Sequence, residues 1–410
     1  MIDLTAVRDD QRLVQQLKLK DPNFPIERLL ALDEQRRALT VTIEQLRARK
    51  NELAKEAQSG ITETIRKESL TLSEQLKKHE QEVESVTQEF KTLYLHCPNI
   101  PDELLPVGGK ESNKVVQVYG KKPVFDFEPA HHVELGKKLG WFDFEAAARM
   151  TGAGFVLYKG EAVKLIYALT RLMLKNNNEH GFELIMPPYM VNYKSLETAS
   201  NFPRFQGEVY AVQEEDLYLT PTAEVNLTNL YRDTIFSPEQ LPVRMTSWTS
   251  CFRREAGGYG AHERGLIRIH EFEKVELYSI VKPEDSNQEL ESMRVCAESI
   301  LQMLGLHYRV SLLATQDCSF ASAKTYDLEV WMPGQQAYYE VSSCSNCTDF
   351  QARRGAMRFR RSSTAKPELV HTLNASSLAL PRLIVALMET YQQKDGTIAW
   401  PAPLAMYMDW

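Results

Sequence analysis

A chain of 410 residues, 43% of them hydrophobic, can hold two or three folded domains and bury a sizeable core. Its net charge of −7 gives no overall attraction for nucleic acid, so any such partner must be held by local basic patches. The opening "MIDLTAVRDDQRLV" lacks the apolar run of a secretory signal, no stretch suits a membrane span, and six irregularly spaced cysteines fit reduced thiols in a cytoplasmic protein.

From Ile26 the pattern becomes helical. Leu32, Leu39, Leu46 and Leu53 recur every seventh residue, and Leu72, Leu76, Val83, Val86, Phe90 and Leu93 continue the a/d spacing, with His79 at one seam position. "AQSGITE" lies between the two series and offers Gly60 for a reversal. The spacing predicts an antiparallel pair of helices over about 26–95, each about 45–50 Å long at 1.5 Å per residue. Charged residues surround the seam on both helices and leave little second apolar face, so a projecting arm is expected ahead of the alternatives, a dimerising coiled coil or a hairpin lying flat on a domain.

"CPNIPDELLPVGGKESNK" then breaks every period with three prolines and a Gly-Gly, which predicts a linker over 101–116 after an N-terminal domain of 1–100. The remainder, 117–410, reads as one mixed domain. "GEAVKLIYALTRLML" has helical spacing, and "HGFELIMPPYMVN" runs extended into a double proline. "DLYLTPTAEVNLTNLY" joins a short strand to a helix capped by Thr222, and "KTYDLEVWMPGQQAYYEVSS" is a hairpin around Pro333-Gly334. "LNASSLALPRLIVALMETYQQ" reads as a closing helix. Helices flank the strands without regular βαβ alternation, so an α+β fold with a largely antiparallel sheet is expected. Cys344 and Cys347 form a C-x-x-C, but one pair is only half a zinc site.

The stretch "CFRREAGGYGAHERGLIRIHEFEKVEL", Cys251 to Leu277, carries the chemistry. On extended strands Arg253 and Glu255 would share one face, and Phe272, Lys274 and Glu276 another, where packing alone would not place charges. Gly257, Gly258, Gly260 and Gly265 in the loop, with Arg264 and Arg268, suit a nucleotide: cations for the phosphates, a ring for the base and a flexible cover. Of the histidines, His131 and His132 are expected to be packing or surface residues and His270 structural. The basic run "QARRGAMRFRR" is as compatible with a solvated loop as with an RNA contact.

"FRREAG" with "RGLIRIHEFEKVE" resembles the second signature motif of class II aminoacyl-tRNA synthetases, in the form found in seryl-tRNA synthetases. "HGFELIMPPYMVN" is similar to their first, dimer-forming motif, "LTPTAEV" to the serine-binding segment, "YYEVSSCSNCTDFQARR" to the metal and ATP segment, and "HTLNASSLALPR" to the third motif. The resemblance spans the chain and implies a class II antiparallel sheet with an N-terminal coiled-coil arm. It implies a cytoplasmic homodimer that uses ATP and Mg²⁺ to join L-serine to tRNA(Ser), with tRNA(Sec) as a further substrate in organisms that have it. No DNA or membrane partner is implied.

Residue by residue, the resemblance gives Arg253 the α-phosphate and the serine carboxylate, and Glu255 the adenine amino edge. Phe272 and Arg382 would sandwich the adenine. Thr222, Ala223 and Glu224 would line the serine pocket, while Glu276 and Ser376 read ammonium and hydroxyl. Arg254, Arg268, Val341 and Ser342 join the ATP set, and Glu340 and Ser343 would hold the divalent ion. Strict alternation puts Ser342, not Ser343, beside Glu340, so a bulge or twist is expected there. Arg47, Arg49, Lys50, Lys77 and Lys78 on the arm would meet tRNA phosphates. A carboxylate nucleophile is already ionised, so no general base is needed and no catalytic histidine or cysteine constellation is expected.

The chain departs from the family pattern at several places. Asn374-Ala375-Ser376-Ser377 replaces Asn-Gly-Ser-Gly, Pro381 stands where glycine usually precedes the motif arginine, "ETASNFPRF" replaces a "GTGQLPKF"-like stretch, and Ala261-His262-Glu263 replaces Arg-Asp-Thr. The rival readings are another class II synthetase, a synthetase-like ligase loading a carrier protein, and a catalytically silent paralogue.

Overall fold

The computed structural model describes residues 1–255 and 264–409. Gly257, Gly258, Gly260 and the Ala261-His262-Glu263 departure lie outside the described residues. The chain divides into two compact units, essentially 1–98 and 99–410.

In the first unit, short helices Leu4–Asp9 and Gln11–Lys20 precede a helical hairpin of α1, Ile26–Glu56, and α2, Glu63–Leu95. The seam follows the seven-residue spacing: Leu32, Leu39, Leu53, Leu72, Leu76, Val86 and Phe90 are buried. Gly60, at φ 137°, occupies the turn, and Thr62 caps α2 by accepting from the Ile65 amide. Exposed ion pairs bridge the two helices beside this seam, Arg28 with Glu89 at 2.7 Å, Arg47 with Glu80 at 2.8 Å and Arg49 with Glu68 at 2.9 Å.

The second unit is built on an eight-stranded sheet. Its strands are β1 Lys114–Tyr119, β2 Glu183–Leu184, β3 Val243–Phe252, β4 Glu271–Val281, β5 Tyr308–Leu312, β6 Lys324–Met332, β7 Ala337–Thr348 and β8 His371–Ala379. They lie in the order β1-β5-β6-β7-β8-β4-β3-β2, antiparallel throughout except for the edge pair β2–β3. The helices used below are α3 His132–Leu139, α4 Glu161–Glu179, α5 Ala223–Leu230, α6 Ser286–Met303 and α7 Leu380–Tyr391. Leu165, Leu169, Met293, Ile300, Leu383 and Leu387 from α4, α6 and α7 cover one sheet face in a core that includes Val275, Leu277, Leu373 and Ala375. Among the described residues, no helix is long and apolar enough to cross a membrane.

Three expectations change. The stretch 101–116 is no free linker: Asp102 donates a backbone hydrogen bond to Ala323, Leu105 packs on Leu312 and Cys318, and β1 begins at Lys114. Leu373–Ala379 is strand, not helix, because Ala375 pairs with Cys344 on one side and Leu277 on the other; the helix starts only at Leu380, with proline in its first turn. β3 ends at Phe252, so the strand alternation does not run on through Arg254 and Glu255, and Glu255 turns into the left-handed region at φ 47°.

Candidate functional site

The uncovered sheet face carries a cleft of about 410 Å³. β4 contributes Phe272, Lys274 and Glu276 at alternate positions, β7 adds Glu340, Ser343 and Ser345, and β8 adds Asn374 and Ser376. Arg253 and Glu255 enter from the end of β3, Thr222 and Glu224 from the start of α5, and Pro381 and Arg382 from the first turn of α7.

One network surrounds the start of α5. The Thr222 hydroxyl caps the helix by accepting from the Glu224 amide at 3.2 Å, accepts from Lys274 Nζ at 2.8 Å and donates to Glu276 Oε2 at 3.2 Å. Lys274 and Glu276 form a buried ion pair. Glu224 Oε1 accepts from Gln351 Nε2 at 2.7 Å and from Asn374 Nδ2 at 3.1 Å. Burial, then the Glu276 charge, pushes the Glu224 carboxyl up to about 7, against the opposing pull of Gln351, Lys274 and Arg253. Burial raises Glu276 as well, opposed first by Lys274. Two carboxyls beside a lysine already paired to one of them, with Arg253 further along the cleft, leave this end able to take an incoming ammonium.

A second network spans β7, α7 and the segment before β4. Arg382 donates to the Glu340 carbonyl at 2.8 Å and to the Ile267 carbonyl at 3.2 Å. Arg268 pairs with Glu255 at 2.6 Å. The Arg253 guanidinium lies 5.2 Å from the Phe272 ring centroid and donates to the Pro221 carbonyl. In the β6–β7 ladder Leu328 faces Ser342 while Glu329 faces Glu340, so Val341 is an extra residue. This bulge puts Glu340 and Ser343 on the cleft face although they are three residues apart. The Val341 side chain belongs to the core, leaving its backbone to face the cleft.

Not every expected residue lines the cleft. The Ser342 side chain is buried on the other side and donates to the Ser376 carbonyl. Ala223 is packed with Tyr278 and Leu227, and Arg254 is exposed beyond the lining. His270 is structural in its contacts: its carbonyl accepts from the Arg253 amide at 2.8 Å and its Nδ1 lies 3.1 Å from the Arg253 carbonyl. Cys344 and Cys347 are buried free thiols, and burial pushes Cys344 up to about 12, away from the thiolate a metal needs. Serine replaces the family glycine at 377, where β8 bulges against β4, and the Ser377 hydroxyl donates to Asn177 at 2.9 Å.

Sequence reasoning missed Lys274, Asn374 and Gln351 as members of the first network. It also missed Asp327, which faces Ser343 across the hairpin and has a buried Oδ1 with no hydrogen-bond partner among the described residues. Burial and then the Glu340 charge raise its carboxyl well above the usual range. Counting the hairpin register back from Pro333-Gly334 would have put Asp327 and Glu329 on the face of Glu340. Gln351 had no such signal, since it meets Glu224 only through long-range packing.

On the hairpin, Arg47 and Arg49 are tied to Glu80 and Glu68, whereas the exposed side chains of Lys50, Lys77 and Lys78 form no ion pair or hydrogen bond among the described residues.

Comparison with known proteins gives consistent matches. Residues 1–101 match the family described as "Seryl-tRNA synthetase N-terminal domain", and residues 207–391 match "tRNA synthetase class II core domain (G, H, P, S and T)". The chain is 44% identical to a serine–tRNA ligase of Syntrophobacter fumaroxidans over all of its own length and 98% of the relative's. It is 43% identical to serine–tRNA ligase 2 of Clostridium acetobutylicum, over 100% and 99% of the two chains. A crystal structure of seryl-tRNA synthetase from Pyrococcus horikoshii complexed with ATP superposes with a TM-score of 0.94 at 34% identity, covering 100% of this chain and 98% of the other. The cytoplasmic enzyme of Naegleria fowleri in complex with AMP gives 0.83 at 27% identity, over 99% and 94%.

Proposed function

The chain belongs to the seryl-tRNA synthetase family of class II ligases, and from that premise we propose how its own residues divide the work of joining serine to tRNA. In the first half-reaction a serine carboxylate oxygen bonds to the α-phosphorus of ATP while the bond to the pyrophosphate oxygen breaks. In the second, the terminal ribose hydroxyl of tRNA takes the seryl group and AMP leaves.

The observation that carries this division is the meeting of the two networks in one cleft. Thr222, Glu224, Lys274 and Glu276 form the serine end, where the two carboxyls take the ammonium and Ser376 and Asn374 offer partners for the hydroxyl. A site of paired polar groups rejects alanine, which would leave them unpaired, by roughly 10⁴-fold. Arg253 holds the serine carboxylate and the α-phosphate together, offsetting the repulsion of two anions. Glu255, Phe272 and Arg382 form the adenine end. Ala223, Arg254 and Ser342 are left only supporting places in this scheme, because their side chains do not line the cleft.

The residues present also fit Mg²⁺: the Glu340 carboxylate and the Ser343 hydroxyl are hard oxygen donors on one face, with the Asp327 carboxyl opposite Ser343 in the ladder. When bound, the ion neutralises charge building on the phosphates. A homodimer is supported by the exposed Leu184, Met186 and Met190 in the stretch similar to the first motif, beside edge strand β2. For tRNA(Ser), and tRNA(Sec) where it exists, the uncommitted Lys50, Lys77 and Lys78 are the primary phosphate contacts on the hairpin; Arg47 and Arg49 are secondary, since each must leave a carboxylate.

ATP–pyrophosphate exchange tested across the amino acids, followed by tRNA charging, decides the reading. Exchange should require serine and vanish in Arg253→Ala while the protein stays folded. Exchange driven by another amino acid, or near-normal exchange in R253A, would refute it.

A further inference from the structure

His132, at the start of α3, is fully buried and lies outside the cleft lining. Its Nδ1 lies 3.1 Å from Glu389 Oε1, near the end of α7, and its Nε2 accepts from the Leu266 amide at 3.2 Å. An amide can only donate, so Nε2 must be the bare nitrogen and Nδ1 carries the proton toward Glu389. Glu389 also accepts from the His132 amide at 3.1 Å and the Gly334 amide at 2.9 Å. His131, His132 and Glu389 lie close enough together to suggest a metal, but both His132 nitrogens and both Glu389 oxygens are already engaged within the protein. The cluster is a joint.

The joint grips one wall of the cleft. Leu266 to Ile269 line it, and the next carbonyl after Leu266, that of Ile267, accepts from Arg382. Helix α7 therefore holds this wall twice: directly with Arg382 in its first turn, and through Glu389 and His132 near its last. These two residues are seven apart, about 10 Å along the axis. Gly265, at φ 75°, lets the chain come this close; a Cβ there would lie 2.3 Å from His132 Nε2 and 2.5 Å from the Val133 side chain.

We propose that His132 is a positioning residue for ATP: through the Leu266 amide it fixes the cleft wall that the adenine-side residues Arg268 and Arg382 share. The inference rests on the ATP site proposed above.

Two substitutions separate the ring's two bonds. Asparagine reaches only as far as Nδ1, so His132→Asn keeps a donor for Glu389 and orphans the Leu266 amide. Glutamine reaches the Nε2 position, so His132→Gln keeps an acceptor for Leu266. H132N should raise the ATP KM about tenfold, the effect of one buried unpaired amide, with serine KM and kcat at saturating ATP within about twofold. H132Q should recover most of the ATP affinity. Hydrogen exchange of the peptide containing Leu266 should quicken in H132N and not in H132Q. Gly265→Ala presses on the same bond from the other side, should copy the H132N phenotype, and decides the matter if H132N does not fold. The inference is overturned if ATP KM is unchanged in the folded variants, or if ATP and serine KM rise together with no rescue by glutamine. Failure of the wild-type chain to show serine-dependent exchange would instead remove the site reading beneath it.

Discussion

Replacing Glu224 with glutamine should make the protein more stable and worse at binding serine, and both effects should depend on pH. Glutamine copies the shape of a protonated carboxyl and keeps an oxygen for Gln351 and Asn374, whose donors lie 2.7 and 3.1 Å from Oε1. Burial pushes the Glu224 carboxyl from 4.5 up to about 7, so between those values the folded chain holds a proton that the unfolded chain has released, and stability falls as pH rises. Above pH 7 the full penalty is present; at 1.36 kcal/mol per pKa unit it is about 3 kcal/mol. E224Q removes it, so the variant should melt several degrees higher than wild type at pH 8, with most of the gain gone at pH 5. Serine's ammonium needs the ionised carboxylate, so in the wild-type enzyme the serine KM should rise below pH 7, approaching about tenfold per pH unit. In E224Q the KM should be higher throughout, with that slope reduced. Melting scans and serine titrations of pyrophosphate exchange from pH 6 to 8 measure both. An equal melting difference at pH 5 and pH 8 would refute the buried-charge argument, and an unchanged KM slope in E224Q would show that Glu224 is not the group that titrates.

Three further outcomes are expected. Pro381→Gly frees a backbone that proline fixes at the mouth of α7, and should raise the ATP KM about fivefold while leaving the serine KM near normal; an effect on serine alone would misplace the helix. Lys50, Lys77 and Lys78 changed together to alanine should lower the slope of log affinity for tRNA against log salt by about 2, Arg47→Ala should do less, and a Gly/Ser connector replacing 26–95 should spare exchange but not charging; normal charging by that deletion would end the hairpin's role. Glu340→Ala should reduce kcat for exchange by roughly two orders of magnitude, and chelation should abolish exchange in the wild-type enzyme until Mg²⁺ is restored; exchange indifferent to chelation would remove the metal site.

What the sequence made legible is what neighbours along the chain decide. The heptads of α1 and α2, the Thr222 cap and the alternation of Phe272, Lys274 and Glu276 need only local periodicity. Leu373–Ala379 misled because a short apolar run followed by a helix has no period of its own; pairing to β7 and β4 makes it strand. Gln351 and Glu389 were silent for the same reason, since Gln351 meets Glu224, and Glu389 meets His132 and Gly334, across more than 50 residues of sequence. His132 looked like a packing residue, and it is one in burial, yet both its nitrogens are committed to partners that only the tertiary fold brings near. Arg254 carried no warning, because alternation cannot reveal where a strand ends, whereas the clash between alternation and the family's Glu340–Ser343 pair did announce the bulge that turns Ser342 away.

The extra residue at Val341 has an unusual genetic consequence. Removing a residue from a strand normally turns everything on one side of the cut over to the opposite face. Here the β6–β7 pairing already skips Val341, so its deletion would restore an unbroken ladder with Glu329 still opposite Glu340 and Asp327 still opposite Ser343. All four side chains would keep their faces, and what would be lost is the peptide that Val341 turns toward the cleft together with its buried core side chain. A one-codon deletion at this position would thus leave the carboxylates on the cleft face while removing one backbone contact and one core valine, a loss that Val341→Ala would reproduce in the core alone.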